Sequence, residues 1–335
     1  MKKPNLPLGL YPLLGRYSGW GGGDLGAHKA GFFSLFAADN NKHAIKCFRR
    51  NFPNHPIFEA DVSLMSAKET LGLAKVPTGK GFVYMTSSPC QGASKAGKFD
   101  PYNPLNQLML NEPWFISQLK PTAFVFENVP GINQGKMKTL KAMLVNEIDQ
   151  WLGDYNVFEI VLDANDFGGV PQHRKRYLLI GVKKSLGVNP FVPEEAAFKL
   201  AVKDVLPEVE GLRYGYWDKH FRDASRPSPT LTKTEGIKKV VNGEIIRLTI
   251  EDVLKLCGFP ADWKYEGSRN QVYQRAGNSI MPPFAEAIFK MLYTILQKAG
   301  VETCTREELE AITTETVPLS LKWVQNLDLD IPDAA

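Results

Sequence analysis

Cys90 stands in Ser87-Ser88-Pro89-Cys90-Gln91-Gly92, directly after the apolar run 81–86. A thiol just past a buried strand, in a loop of proline, glycine and small residues, sits where α/β enzymes keep reactive groups, and it reads as a nucleophile. The alternative is a small buried hydrophobe, the commonest state of a free cysteine. A carboxylate closes the next apolar strand, where Thr122-Ala123-Phe124-Val125-Phe126 runs into Glu127-Asn128-Val129-Pro130-Gly131. Desolvation there raises its pKa and keeps it partly protonated, which suits a proton donor; a structural, hydrogen-bonded glutamate fits the strand equally well. Further on, Gln172-His173-Arg174-Lys175-Arg176 leads into a strand over 177–182. In an extended segment Arg174 and Arg176 point the same way and can clamp a carboxylate or phosphate; a basic strand start facing solvent is the alternative.

These groups need a scaffold, and the N-terminal half supplies a nucleoside-binding one. A strand over 10–17 runs into Ser18-Gly19-Trp20-Gly21-Gly22-Gly23 and a short helix, a turn that lets backbone approach a ligand closely. A second strand over 32–38 ends in Asp39, about twenty residues after the glycines, where a carboxylate can accept both hydroxyls of a ribose. Asp61 ends a third extended segment; it can accept from an adenine amino group or cap the helix expected over 63–73. Helices are expected over 105–119 and 137–152, and a strand over 157–162. Between residues 183 and 246 the βα alternation stops, and Arg213, Tyr214, Tyr216, Trp217, Lys219, His220, Arg222 and Arg226 interleave aromatic and basic character. That is the composition of a nucleic-acid contact surface, or of a loop-rich insert with its own small core. Asn242-Gly243 marks a turn. Thr249 is the expected N-cap of a helix ending near residue 256, a last long helix is expected over 283–298, and the tail beyond Gly300 turns acidic and ends in a surface segment.

The bulk properties set wide limits. The chain of 335 residues can hold one large domain or a large and a small one, and a formal charge of +4 decides nothing about partners. Four scattered cysteines without C-x-x-C spacing fit a reducing cytoplasm rather than a disulfide scaffold. No signal-peptide core and no apolar run of membrane-spanning length occur, so no membrane partner is expected.

Together these stretches resemble the DNA cytosine-5 methyltransferases, in family order from about residue 17 to 298. Pro89-Cys90-Gln91 is similar to the nucleophile motif, Glu127-Asn128-Val129 to the glutamate motif, and Gln172-x-Arg174-x-Arg176 to the arginine motif. Arg247-Leu248-Thr249 with Gly258-Phe259-Pro260 resembles the ninth motif, and Gly277-Asn278-Ser279 with Pro282 the tenth. The resemblance implies an α/β, Rossmann-like S-adenosylmethionine-dependent methyltransferase domain (residues 1–183 and 245–300), a small inserted target-recognition domain (184–244) and a C-terminal extension (301–335). It implies that Cys90, Glu127, Arg174 and Arg176 are catalytic. Arg176 would sit near the base, and Arg174 would orient the Glu127 side or bind phosphate. S-adenosyl-L-methionine would be held by Tyr17, Gly19, Gly21, Asp39, Asp61, Pro89, Asn278 and Ser279. Double-stranded DNA would be held by Gln91, Ser94, Arg213, Arg222, Arg226 and Thr230, with no metal.

The expected protein is a cytoplasmic, nucleoid-associated monomer that methylates a short site; a cognate restriction nuclease would leave no mark in this chain. Some positions depart from the family pattern. Gly15 stands where an acidic residue is usual, Tyr17 replaces phenylalanine, Asp100-Pro101-Tyr102 lacks the arginine of D-x-R, and Asp252 replaces a commoner glutamate. Two other readings are a tRNA methyltransferase of the same fold, whose Cys-Phe-Thr signature is absent here, and a catalytically silent DNA-binding homologue.

Overall fold

The computed structural model describes residues 9–89, 100–215, 219–232 and 236–323. Its large sheet is built from β1 (Tyr11–Arg16), β2 (Phe32–Asp39), β3 (Ile57–Glu59), β4 (Val83–Thr86), β5 (Ala123–Asn128), β6 (Tyr155–Asp163) and β7 (Lys175–Lys183). The order is β3-β2-β1-β4-β5-β7-β6, with β7 alone running against the others. Strands covered on both faces need near-continuous apolar sequence, which is why parallel β1, β2 and β5 and antiparallel β7 alike carry almost no alternation. The strand order reverses between β1 and β4, and the crevice beyond their C-terminal ends is where such sheets hold ligands.

Two apolar clusters cover the two faces. On one lie α1 (Gly22–Lys29), α2 (Lys42–Asn51) and, further along the chain, a long helix over residues 282–298. On the other lie α3 (Ala67–Ala74), the paired α4 (Asn106–Leu110) and α5 (Glu112–Leu119), and α6 (Lys138–Trp151). The single helix expected over 105–119 is thus two, parted at Asn111 just before Pro113. The short α7 (Ala164–Gly168) joins β6 to the arginine segment.

After the short α8 (Val202–Val205), a second sheet forms from β8 (Gly211–Tyr214), β9 (His220–Asp223), β10 (Ile237–Val241) and β11 (Glu244–Arg247), in the order β11-β10-β8-β9. The β10–β11 hairpin turns at Asn242 and Gly243, both at positive φ (51° and 75°), as the Asn-Gly pair demands. Because β11 pairs with β10, Glu244–Arg247 forms an edge of this small sheet.

The chain then returns through α9 (Ile250–Leu256), α10 (Arg269–Asn278) and α11 (Pro282–Lys298). Thr249 caps α9 in a capping box with Asp252, so the aspartate in place of glutamate still closes the box. Helix α10, capped by Ser268 with Gln271, was absent from the sequence expectation because its polar surface conceals the buried Val272, Tyr273 and Ala276.

Beyond Gly300 no helix was expected, yet Arg306–Lys322 forms a 17-residue one, α12, packed on β2 and β3; the surface segment expected at the end of the acidic tail lies outside the described residues. A Thr305–Glu308 capping box starts it. Leu309, Thr313, Thr316 and Ser320 form its buried stripe, and the polar character of three of these hid the helical period. Among the described residues no helix is long and apolar enough to cross a membrane.

Candidate active site

At the switch point, the β1–α1 turn places Gly19 and Gly21 in the left-handed region (φ 57° and 95°), with Tyr17 beside them at φ 57°. A non-glycine residue held there is strained, and strain of this kind gathers at ligand sites. Backbone amides orient Asp39: the Gly19 N–H donates to Oδ2 and the Asn41 N–H to Oδ1, both at 2.8 Å. Burial raises its pKa against these bonds. A side chain at Gly22 would lie 2.2 Å from Ser279 Oγ and 2.4 Å from the Ile280 carbonyl, so only glycine lets the Asn278-Ser279 segment close on the turn. Asp61 accepts from Ser63 N (3.0 Å) and Ser63 Oγ (2.6 Å), capping a 3-10 turn rather than a helix; α3 starts later, at a Ser66 cap.

A small cleft opens between Tyr17, Ser63, Met65 and the α4–α5 residues Leu108, Asn111 and Trp114. Its floor was not anticipated from sequence. Arg16 is buried under Tyr17, paired with Glu112 at 3.3 Å, stacked 3.8 Å from the Phe115 ring and bonded to the Val62 carbonyl. Tyr84 donates to Glu112 at 2.7 Å. The available signal was an arginine ending the apolar strand YPLLGR, where a charge needs a buried partner. The buried Asp24 was also missed: it accepts from Ser34 Oγ at 3.0 Å beside the space left by Gly15. Burial pushes its carboxyl up to about 7 despite that bond.

The chemistry-bearing segments are stitched together. Ser87 Oγ donates to the Tyr17 carbonyl (3.1 Å), and Asn128 Nδ2 donates to the Ser88 carbonyl (3.2 Å). The Glu127 strand end, the base of the Cys90 loop and the glycine turn are therefore fixed relative to one another, with Pro89 the last described residue before that loop. Cys90, Gln91 and Ser94 themselves lie outside the described residues.

Glu127 is buried, and Arg176 Nε holds its Oε1 at 2.6 Å. Burial raises its pKa, while Arg176 and then Arg174 pull it back. The loosely drawn split of the two arginines is corrected here. Arg176 is the residue that orients Glu127. Arg174 is 1% exposed, out of reach of a phosphate, and its guanidinium donates to three backbone carbonyls: Leu231 (2.9 Å), Gly277 (2.5 Å) and Ser279 (3.1 Å). Neither arginine faces solvent, so the solvent-facing alternative fails for both.

The small sheet carries the remaining residues. Cross-strand register aligns Phe221, Arg213, Lys238 and Arg247 in one row across β9, β8, β10 and β11, three cations ending on an aromatic ring. The Arg213 guanidinium lies 5.2 Å from the Phe221 ring centroid. Arg222 is half-buried and donates to the Pro227 carbonyl, Arg226 is exposed, and Thr230 commits its hydroxyl proton to the His173 carbonyl at 2.6 Å.

The fold and the glycine turn beside a buried glutamate define the class, a Rossmann-like S-adenosylmethionine-dependent methyltransferase. The model of the C-5 cytosine-specific DNA methylase family matches residues 16–214 and 210–294, and the chain belongs to that family. Type II methyltransferase M.PspPI of Psychrobacter is 27% identical over 86% of this chain and 80% of its own length. M.HpaII of Haemophilus parainfluenzae is 28% identical over 85% of this chain and 88% of its own. Among solved structures, a prophage-encoded protein of E. coli described as a DNA modification methyltransferase superposes with a TM-score of 0.71 at 26% identity, covering 86% of this chain and 99% of that one. A Spodoptera frugiperda DNMT2 mutant gives 0.64 at 17% identity over 84% of this chain and 99% of its own, a likeness of fold.

Proposed function

We propose that this enzyme transfers a methyl group from S-adenosylmethionine to carbon 5 of a cytosine flipped out of double-stranded DNA, at a short specific site, through a covalent bond to Cys90. The observation that carries the reading is the buried Glu127–Arg176 pair, tied through Asn128 and Ser88 to the base of the Cys90 loop at the rim of the glycine turn. The cofactor fits the residues present. The left-handed glycines and the close-packed Gly22 form a cradle that a Cβ would fill, and both Asp39 oxygens are oriented by amides. Tyr17, Gly19 and Gly21 would line it, Asp39 would take the ribose and Asp61 the adenine, with Pro89, Asn278 and Ser279 closing the pocket. When bound, it supplies an electrophilic methyl group.

The chain's own residues do the rest. The target base leaves the stack because neither carbon 5 nor carbon 6 can be attacked within it. The Cys90 thiolate adds to carbon 6 while protonated Glu127 donates to ring N3, so that electron density gathers at carbon 5. Arg176 holds Glu127 in line and offers positive charge beside the ring. After methylation a water or base removes the carbon 5 proton, and the electron pair that forms the 5,6 double bond expels Cys90. Gln91, Ser94 and the Arg213, Arg222, Arg226 and Thr230 region would contact the duplex.

Expression in a methylation-free host followed by base-resolution mapping of 5-methylcytosine tests the reading. A short recurring site supports it. Methyl groups found only in RNA, or none anywhere, defeat it.

A further inference from the structure

Arg174 is a fully buried cation that pairs with no carboxylate among the described residues. Such a charge is costly unless hydrogen bonds compensate it. Its bonds all go to backbone, and the carbonyls come from two segments far apart in sequence. Gly277 and Ser279 flank Asn278 in the segment that closes on the glycine turn. Leu231 ends the segment that leads out of the small sheet toward β10. That second segment is laid along the arginine segment as if it were a strand. The His173 N–H donates to the Ser228 carbonyl and the Ser228 N–H to the Pro171 carbonyl, both at 2.9 Å, and the Leu231 N–H donates to Gln172 Oε1 at 3.0 Å. The Arg174 Nε finds no hydrogen-bond partner among the described residues, so the guanidinium is not saturated where it stands.

We propose that Arg174 is a positioning residue that couples cofactor binding to DNA binding. One planar guanidinium holds the cofactor-closing turn and the segment 228–231, which carries the proposed DNA contact Thr230, in a single arrangement, so ordering either by its ligand orders the other. The inference rests on the methyltransferase reading above. By linkage the effect is reciprocal, and effects of this kind commonly change affinity about tenfold.

The test measures the affinity of S-adenosylhomocysteine for the full chain, alone and with a saturating duplex containing the mapped target site. The wild type is expected to bind it about tenfold tighter when the duplex is present. Arg174→Met is expected to bring that ratio close to one, and because each protein is compared with itself, any weakening of binding in the absence of DNA cancels from the ratio. Arg174→Lys keeps the charge, reaches fewer carbonyls and should fall between; it also serves if the methionine variant does not fold. A substituted protein that melts cooperatively and keeps the wild-type ratio overturns the proposal, as does a wild type whose affinity is the same with and without the duplex it methylates. A wild type that binds neither ligand defeats the functional reading instead.

Discussion

Replacing Asp24 by asparagine should change how stability depends on pH, and the structure gives the size. Asp24 is wholly buried beneath the glycine turn, accepts one hydrogen bond from Ser34, and has its carboxyl raised from 3.8 to about 7 by burial. The unfolded chain ionises this group near pH 3.8 and the folded chain only near 7, so the unfolded state gains charge first. Stability therefore falls as pH rises through that window and levels off above it. At about 1.36 kcal/mol per pH unit the whole loss is about 4 kcal/mol, more than half of it above pH 5. An asparagine side chain at this position keeps an acceptor for Ser34 but does not ionise. Urea unfolding followed by tryptophan fluorescence at pH 5 and pH 8.5 should find the Asp24→Asn protein gaining on the wild type by about 2–3 kcal/mol between the two. A difference that stays constant across this range would refute the claim that a buried, titrating Asp24 lies under the cofactor turn.

Further outcomes are expected. Cys90→Ala should abolish methylation and covalent capture of a 5-fluorocytosine duplex while S-adenosylhomocysteine still binds; measurable turnover by that protein removes the nucleophile. Arg176→Met leaves Glu127 buried without its partner and should cost about 3–5 kcal/mol in urea unfolding, whereas Arg176→Met with Glu127→Leu should recover much of the loss. In the same single variant Glu127 gives up its proton only at higher pH, so the alkaline limb of any residual activity should move upward. Leu309→Ala, wholly buried on α12, should lower stability by about 2–5 kcal/mol; a change below about 0.5 would refute the packing of α12 on the sheet.

Much of the frame was legible because its signals are local. Apolar strands closed by a glycine turn, Asp39, Glu127 or the arginine segment announce a doubly wound sheet and place polar groups at its C-terminal edge, since strand ends and turns are dictated by neighbours in sequence. The Asn242-Gly243 hairpin and the Thr249 cap are of the same kind. Helix α12 escaped because its buried face uses Thr and Ser, and α10 because Val272, Tyr273 and Ala276 are outnumbered by polar residues, although both capping boxes stood in the sequence.

Only the tertiary structure decided which charge meets which. The alternation of Arg174 and Arg176 fixed that both point one way, but not that one meets Glu127 on β5 and the other three carbonyls more than fifty residues distant. Nor could it place Arg16 on Glu112, or Asp24 behind Ser34. Pairings across a sheet and between layers depend on strand order and register, and those are set by the packing of the whole core. Sequence thus determined the kinds of group this enzyme carries and where each strand presents them. The division of labour among the buried charges belongs to the fold, because a desolvated charge takes whichever partner long-range packing brings within reach.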